Sequence, residues 1–140
     1  MAQDDSRANS HNLAALVVRT GERVKADFAQ AVLAHDVSPP LARAILLLNE
    51  PAQMGCLASQ LSCDQSYVTR LADDLVKRGL VTRAPGDDRR VQVLTLTPAG
   101  ALLKDQLAEA VSVESAVSSA LSPHEQEQLR SLLTRILEIS

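Results

Sequence analysis

Two arginines, Arg89 and Arg90, stand side by side in GDDRRVQVLTLTPAG, residues 86–100, directly after Asp87 and Asp88. A guanidinium stays charged and presents a planar fork of donors, which suits phosphate oxygens or the edge of a base. Upstream, DQSYVTRLADDLVKRG places Val68, Leu71, Ala72, Leu75 and Val76 at i, i+3, i+4, i+7 and i+8. That stripe turns inward on a helix and leaves Gln65, Ser66, Thr69, Arg70 and Asp73 outward. Materials for other chemistry are sparse. His11, His35 and His124 are scattered without the paired spacing of a metal site. There is no triad, no carboxylate pair in a glycine-rich setting and no phosphate-cradling loop. Neither catalysis nor a metal or cofactor is expected.

The elements that must position these residues follow from periodicity and caps. Val91, Val93 and Thr95 alternate with Gln92, Leu94 and Leu96 as in a strand, and LVTRAP, residues 80–85, reads as its partner. The arginine pair therefore lies near a hairpin tip. Asp64 is a good N-cap for the helix before that hairpin, and Gly79 stops the helix. Before it, MGCLASQL forms a short segment with Met54, Leu57, Ala58 and Leu61 on one face, and Ser62 and Cys63 make a brief break. Two short helices joined tightly, the second with a short-polar and arginine face, form a helix-turn-helix pattern. The hairpin that follows makes it winged.

Long helices flank this module. Residues 9–35 place Leu13, Leu16, Val17, Val24, Phe28, Ala31 and Val32 at helical spacing. Ser38 with Pro39 and Pro40 opens a nearly all-apolar helix, expected to be central. Thr97 and Pro98 start another long helix, expected to carry Leu102, Leu103, Leu107, Ala110, Val111, Val113, Val117 and Leu121. Ser122, Pro123 and Glu125 form a capping-box signature before the last helix, with Leu129, Leu132, Leu133, Ile136 and Leu137.

The chain has 140 residues, enough for one domain with a real core. Phe28 and Tyr67 are its aromatic residues, so Leu, Val, Ile and Ala must fill that core. No apolar run approaches the ~18 residues that span a bilayer, and the start lacks a basic segment followed by an apolar one. A cytoplasmic protein with free thiols at Cys56 and Cys63 is expected.

A formal net charge of −3 conceals an uneven distribution. Residues 64–97 carry six Lys/Arg against five Asp/Glu, whereas both flanking segments have acidic excesses. Nucleic-acid binding needs a basic face, not a basic total. The terminal helices offer more apolar surface than the small winged module can cover, and a second copy in a two-fold dimer is the simplest cover. Such a dimer would present two helices and two hairpins at a separation suited to half-sites about 34 Å apart.

The stretch LASQLSCDQSYVTRLADDLVKRGLVTRAPGDDRRVQVLTLTPAG resembles the core of the MarR family of bacterial winged-helix transcription regulators. The pieces that carry the likeness are SxVTRLxDxLxxRGLVxR, DRR and LTxAG, with Ser66, Val68, Thr69, Arg70, Arg78, Gly79, Arg83, Asp88, Arg89 and Arg90 in place. The likeness implies a mainly α fold with a small β-hairpin wing. Residues 9–37 and 98–140 would form dimerisation helices around a winged helix-turn-helix at 38–97. It further implies that the helix from Asp64 to Arg78 lies in the major groove, that Arg90 enters the minor groove, and that Asp88 helps hold the wing arginine.

On this reading the DNA-binding set is Gln65, Ser66, Tyr67, Thr69, Arg70, Asp88, Arg89 and Arg90. Gln65 and Arg70 suit the edges of adenine and guanine, and amides at the helix start would offer a further anion site. The expected partners are double-stranded DNA with a pseudo-palindromic operator, a second copy of the chain, and a small-molecule effector between the dimer helices and the winged module. Two alternatives remain: a winged-helix protein-interaction module without DNA binding, and a redox-sensing regulator acting through Cys63. The sequence departs from the family in two places. The wing from Pro85 to Arg89 is about one residue short, and the helix at Met54 lacks a Ser/Thr cap.

Overall fold

The computed structural model describes residues 1–139, which form two compact units, Ala31–Ala110 and Met1–Gln30 with residues 111–139. In chain order the helices are α1 (Ala2–Val32), α2 (Pro39–Leu47), α3 (Met54–Leu61), α4 (Gln65–Lys77), α5 (Pro98–Glu114), α6 (Ala116–Ala120) and α7 (Pro123–Leu137). The strands are β1 (Ala52–Gln53), β2 (Val81–Pro85) and β3 (Gln92–Leu96), and a 3-10 turn at Leu33–His35 follows α1. This is the winged-helix arrangement that the residue pattern predicts.

The unit from Ala31 to Ala110 holds the core. Helix α2 is central as expected: Ser38 Oγ accepts from the Leu41 amide, and Leu41, Ala42, Ala44 and Ile45 are buried. On α3 the expected face, Met54, Leu57, Ala58 and Leu61, is buried throughout. On α4 the buried residues are Val68, Ala72 and Leu75; Leu71 is half-buried, and Val76 is exposed against expectation because the inward stripe ends at Leu75, one residue before it.

The wing is a three-stranded antiparallel sheet, not a plain hairpin. Ala52 pairs with Leu94 and Gln53 with Val93, so the two-residue β1 covers the outer edge of β3, while Val81–Pro85 pairs with Gln92–Leu96 on the other side. Buried Leu94 is the centre of the sheet.

Two glycines explain motif positions in physical terms. Gly79 adopts φ +73°, and its amide donates to Val76 O while the Leu80 amide donates to Leu75 O. This pair of reversed bonds ends α4 with a residue that bears no Cβ penalty. A Cβ on Gly100 would lie 2.0 Å from the Leu80 carbonyl oxygen. Between them, Thr97 Oγ1 accepts from the Gly100 amide and donates to Gly79 O, so LTPAG is the joint between the end of α4 and the start of α5.

The other unit differs in kind. Among the described residues, every buried apolar side chain falls within Ala31–Leu107, so none belongs to Met1–Gln30 or to the segment from Val111 on. Leu13, Val18 and Ile136 stand 57–60% exposed. The expected continuous helix to Leu121 is broken at Ser115, whose backbone is extended. Asp27 Oδ2 accepts the Ala116 amide at 2.9 Å and Oδ1 pairs with Arg23 Nε at 3.2 Å, so α1 supplies the cap that starts α6. Helix α7 begins with the full capping box between Ser122 and Glu125. A groove of about 790 Å³ runs between these helices, lined by Leu16, Val24, Val111, Val117, Leu129 and Leu133 among others.

Candidate nucleic-acid interface

The start of α4 is built around Asp64. Its Oδ1 accepts from Ser66 Oγ at 2.7 Å and from the Tyr67 amide at 2.8 Å. The Ser66 hydroxyl first, and then the Tyr67 amide, hold the Asp64 carboxyl below its ordinary range, with the charge of Arg70 acting in the same direction. A carboxylate therefore already occupies a donor that the sequence reading offers to a DNA phosphate. The first turn of α4 is accordingly a poorer anion site than a bare helix start.

The other expected contact residues on α4 divide by what they are doing. Thr69 Oγ1 donates to Gln65 O at 2.9 Å, so the hydroxyl protons of both Ser66 and Thr69 are committed within their own helix. Gln65 and Arg70 are exposed. The Arg70 guanidinium carbon lies 5.6 Å from the centre of the half-buried Tyr67 ring, within reach of a cation–π contact.

Two carboxylates farther along α4 decide whether Arg70 is free to face outward. Asp73 Oδ1 is 2.9 Å from Arg83 Nη2 on β2, and Asp74 Oδ1 is 3.2 Å from Arg78 Nε. Arg83 Nη2 also approaches Thr69 O at 3.5 Å, and Arg78 Nη1 donates to Asp36 O at 2.8 Å. Neither carboxylate is paired with Arg70. Their local charge is offset by residues that tie α4 to β2 and to the turn before α2.

At the wing tip, the Val91 amide donates to Asp88 O at 2.9 Å, closing a β-turn with Arg89 and Arg90 at its two central positions. Asp88 Oδ1 accepts the Arg90 amide at 3.0 Å, and Gly86 N–H donates to Val91 O at 2.7 Å below the turn. An aspartate at the first turn position that bonds the amide two residues on is an Asx-turn. This explains why the aspartate precedes the arginines: its carboxylate shapes the backbone that presents them. Both arginine side chains are exposed.

All eight expected contact residues thus fall in the unit Ala31–Ala110, on α4 and the wing turn. Sequence reasoning missed the linking role of Arg83. Asp73 and Arg83 are ten residues apart across a helix end and carry no local spacing that announces a pair. Cys63 is half-buried in the turn before α4 and Cys56 is exposed, and both are free thiols, so neither fills a core site. Gln53 caps α3 without a side-chain bond, in keeping with the missing Ser/Thr there. Among the described residues no group of His, Cys, Asp or Glu is placed to hold a metal ion, and no helix is long and apolar enough to cross a membrane.

Comparison with known proteins agrees with this geometry. The sequence model of the MarR family matches residues 44–91, which run from within α2 to the wing turn. The transcriptional repressor MprA of Escherichia coli (strain K12) is 32% identical over 110 residues, covering 74% of this chain. The match spans 62% of that repressor's length. A MarR-family transcriptional regulator from Rhodococcus sp. RHA1 shares the fold with a TM-score of 0.80 at 23% identity, over 91% of this chain and 93% of that one. NadR, solved in complex with 4-hydroxyphenylacetate, superposes with a TM-score of 0.79 at 26% identity, over 89% of this chain and 91% of its own.

Proposed function

We propose, from the match to the MarR family model and the likeness to the repressor MprA, that the chain is a MarR-family regulator of transcription: a homodimeric, sequence-specific repressor that binds double-stranded DNA and whose repression responds to a small effector. The observation that carries the reading is the disposition of charge on the outward side of α4 and at the wing. Asp73 and Asp74 are held by Arg83 and Arg78, while Arg70, Arg89 and Arg90 are exposed. Gln65 and Arg70 would read base edges from the major groove. Arg90, on its Asx-turn, would enter the minor groove, where a narrow width strengthens the negative potential. Asp88 shapes the turn, Arg89, Ser66 and Thr69 complete the contact set, and Tyr67 lies within it beneath the Arg70 guanidinium. The role is regulatory and not catalytic.

Residues 9–37 and 98–140 would supply the dimer helices around a winged module at 38–97. Their exposed leucines, valines and isoleucines are apolar surface that a second copy would cover. A small effector enters the proposal through NadR, which has been solved in complex with 4-hydroxyphenylacetate.

The test is fluorescence anisotropy on the DNA upstream of the chain's own coding region against a scrambled duplex, at several salt concentrations, for wild type and Arg90→Ala. Preference for the upstream duplex, weakening with salt and strong loss in the variant are expected. A folded dimer that binds neither duplex at low salt would sink the proposal.

A further inference from the structure

Resting on the DNA-binding reading above, we infer that Tyr67 is a positioning residue: its ring is the platform that holds the Arg70 guanidinium for recognition of one guanine in each half-site. The inference begins with what Arg70 lacks. An arginine between acidic neighbours on a helix is ordinarily drawn into an i,i+3 or i,i+4 ion pair. Here the Asp73 carboxylate is taken by Arg83, and the Asp74 carboxylate by Arg78. Arg70 lies instead over the Tyr67 ring, one turn before it, at 5.6 Å from the ring centre.

Tyr67 is itself held in place. Its amide donates to Asp64 Oδ1, the same oxygen that Ser66 Oγ bonds, so the N-cap fixes the backbone under the ring. The ring is half-buried, beside the helix face that carries buried Val68, Ala72 and Leu75. An aromatic face restrains a guanidinium while leaving its edge N–H groups free, because stacking uses the plane and not the donors. A carboxylate partner would consume those donors. Guanine is the base that offers two acceptors, O6 and N7, to such a fork in the major groove. A platform of this kind narrows the freedom of a long side chain before DNA arrives, which favours the one base that matches the held fork.

The test uses the full-length protein and a random-sequence duplex library. Selected sites are then synthesised with G, A, C, T or 7-deazaguanine at each half-site position in turn. Wild type and Tyr67→Phe should both prefer guanine at one position, and both should lose preference when 7-deazaguanine removes N7. Tyr67→Leu should lower that preference roughly three- to ten-fold. It should leave other positions unchanged and add no further loss to Arg70→Ala. Melting temperatures of all variants identify any that fail to fold, and Tyr67→Phe keeps the question answerable if Tyr67→Leu does. If Tyr67→Phe behaves as Tyr67→Leu, the hydroxyl makes the contact and the platform is wrong. If Tyr67→Leu weakens all sequences alike and adds to Arg70→Ala, Tyr67 acts independently of Arg70. If wild type selects no sequence at all, it is the regulator reading that fails.

Discussion

Arg83 Nη2 on β2 lies 2.9 Å from Asp73 Oδ1 on α4, a link between the sheet that bears the wing and the helix proposed to read DNA. Arg83 is 27% exposed and Asp73 61%, so screening by solvent limits the charge contribution to less than about 1 kcal/mol. The stem of Arg83 adds packing that an alanine would lose. Arg83→Ala should therefore lower stability by about 1–2 kcal/mol in urea unfolding, and Asp73→Asn by less than about 1 kcal/mol. Equal losses from the two variants would show that the packing contribution is negligible.

At the joint between α4 and α5, Gly100→Ala sets two effects against each other. Alanine gains up to about 1 kcal/mol of helix propensity. Its Cβ would nevertheless lie 2.0 Å from Leu80 O, a contact with backbone that no rotamer change relieves. Backbone movement of that kind costs about 1–3 kcal/mol or more, so the melting temperature should fall. A rise would mean that the close approach relaxes at little cost.

Asp88 serves the wing through a backbone bond, and its charge can be separated from that service. Asparagine forms the same Asx-turn, whereas alanine cannot. Asp88→Ala should weaken DNA binding several-fold, and Asp88→Asn should match wild type or exceed it because a negative charge beside the phosphates is removed. Anisotropy on one duplex decides between them; equal losses would show that the carboxylate charge itself is needed.

Acid stability should report on the α4 cap. The folded Asp64 carboxyl is held below its ordinary range by the Ser66 hydroxyl and then by the Tyr67 amide. Its stabilisation is therefore complete above the unfolded value, near pH 4, and is lost as pH falls through the lower folded value. Asparagine caps a helix comparably without titrating. Urea midpoints followed from about pH 5 to pH 2 should fall less steeply for Asp64→Asn than for wild type. Glu125, lowered chiefly by the Ser122 amide, shifts in the same direction and is common to both curves. Parallel curves would remove the cap from the acid response.

Self-association should depend on α7. Wild type should sediment at twice the 15.0 kDa chain mass, and Ile136→Glu, at a side chain 57% exposed in the single chain, should shift the population toward monomer. An unchanged dimer would place the interface elsewhere.

Local elements were legible in the sequence because their causes are local. Ser38 before two prolines, the Ser122–Glu125 box, Gly79 after α4 and the Val68, Ala72, Leu75 stripe each act within a turn or two of the chain, and each appears where residue type predicts. The placement of the proposed contact residues was legible in the same way, as outward positions on a periodic helix and a polar turn between two alternating runs. What the sequence could not decide depends on groups brought together from afar. Strand β1 has only Ala52 and Gln53, too short to alternate, and exists because β3 offers it an edge. Helical periodicity runs on through Ser115 without a glycine or proline, yet the helix breaks there, where an Asp27 carboxylate 89 residues away caps the Ala116 amide. Only the packed tertiary structure could assign Asp73 to Arg83 rather than to Arg70, since an ion pair goes to whichever cation folding brings within reach of the carboxylate.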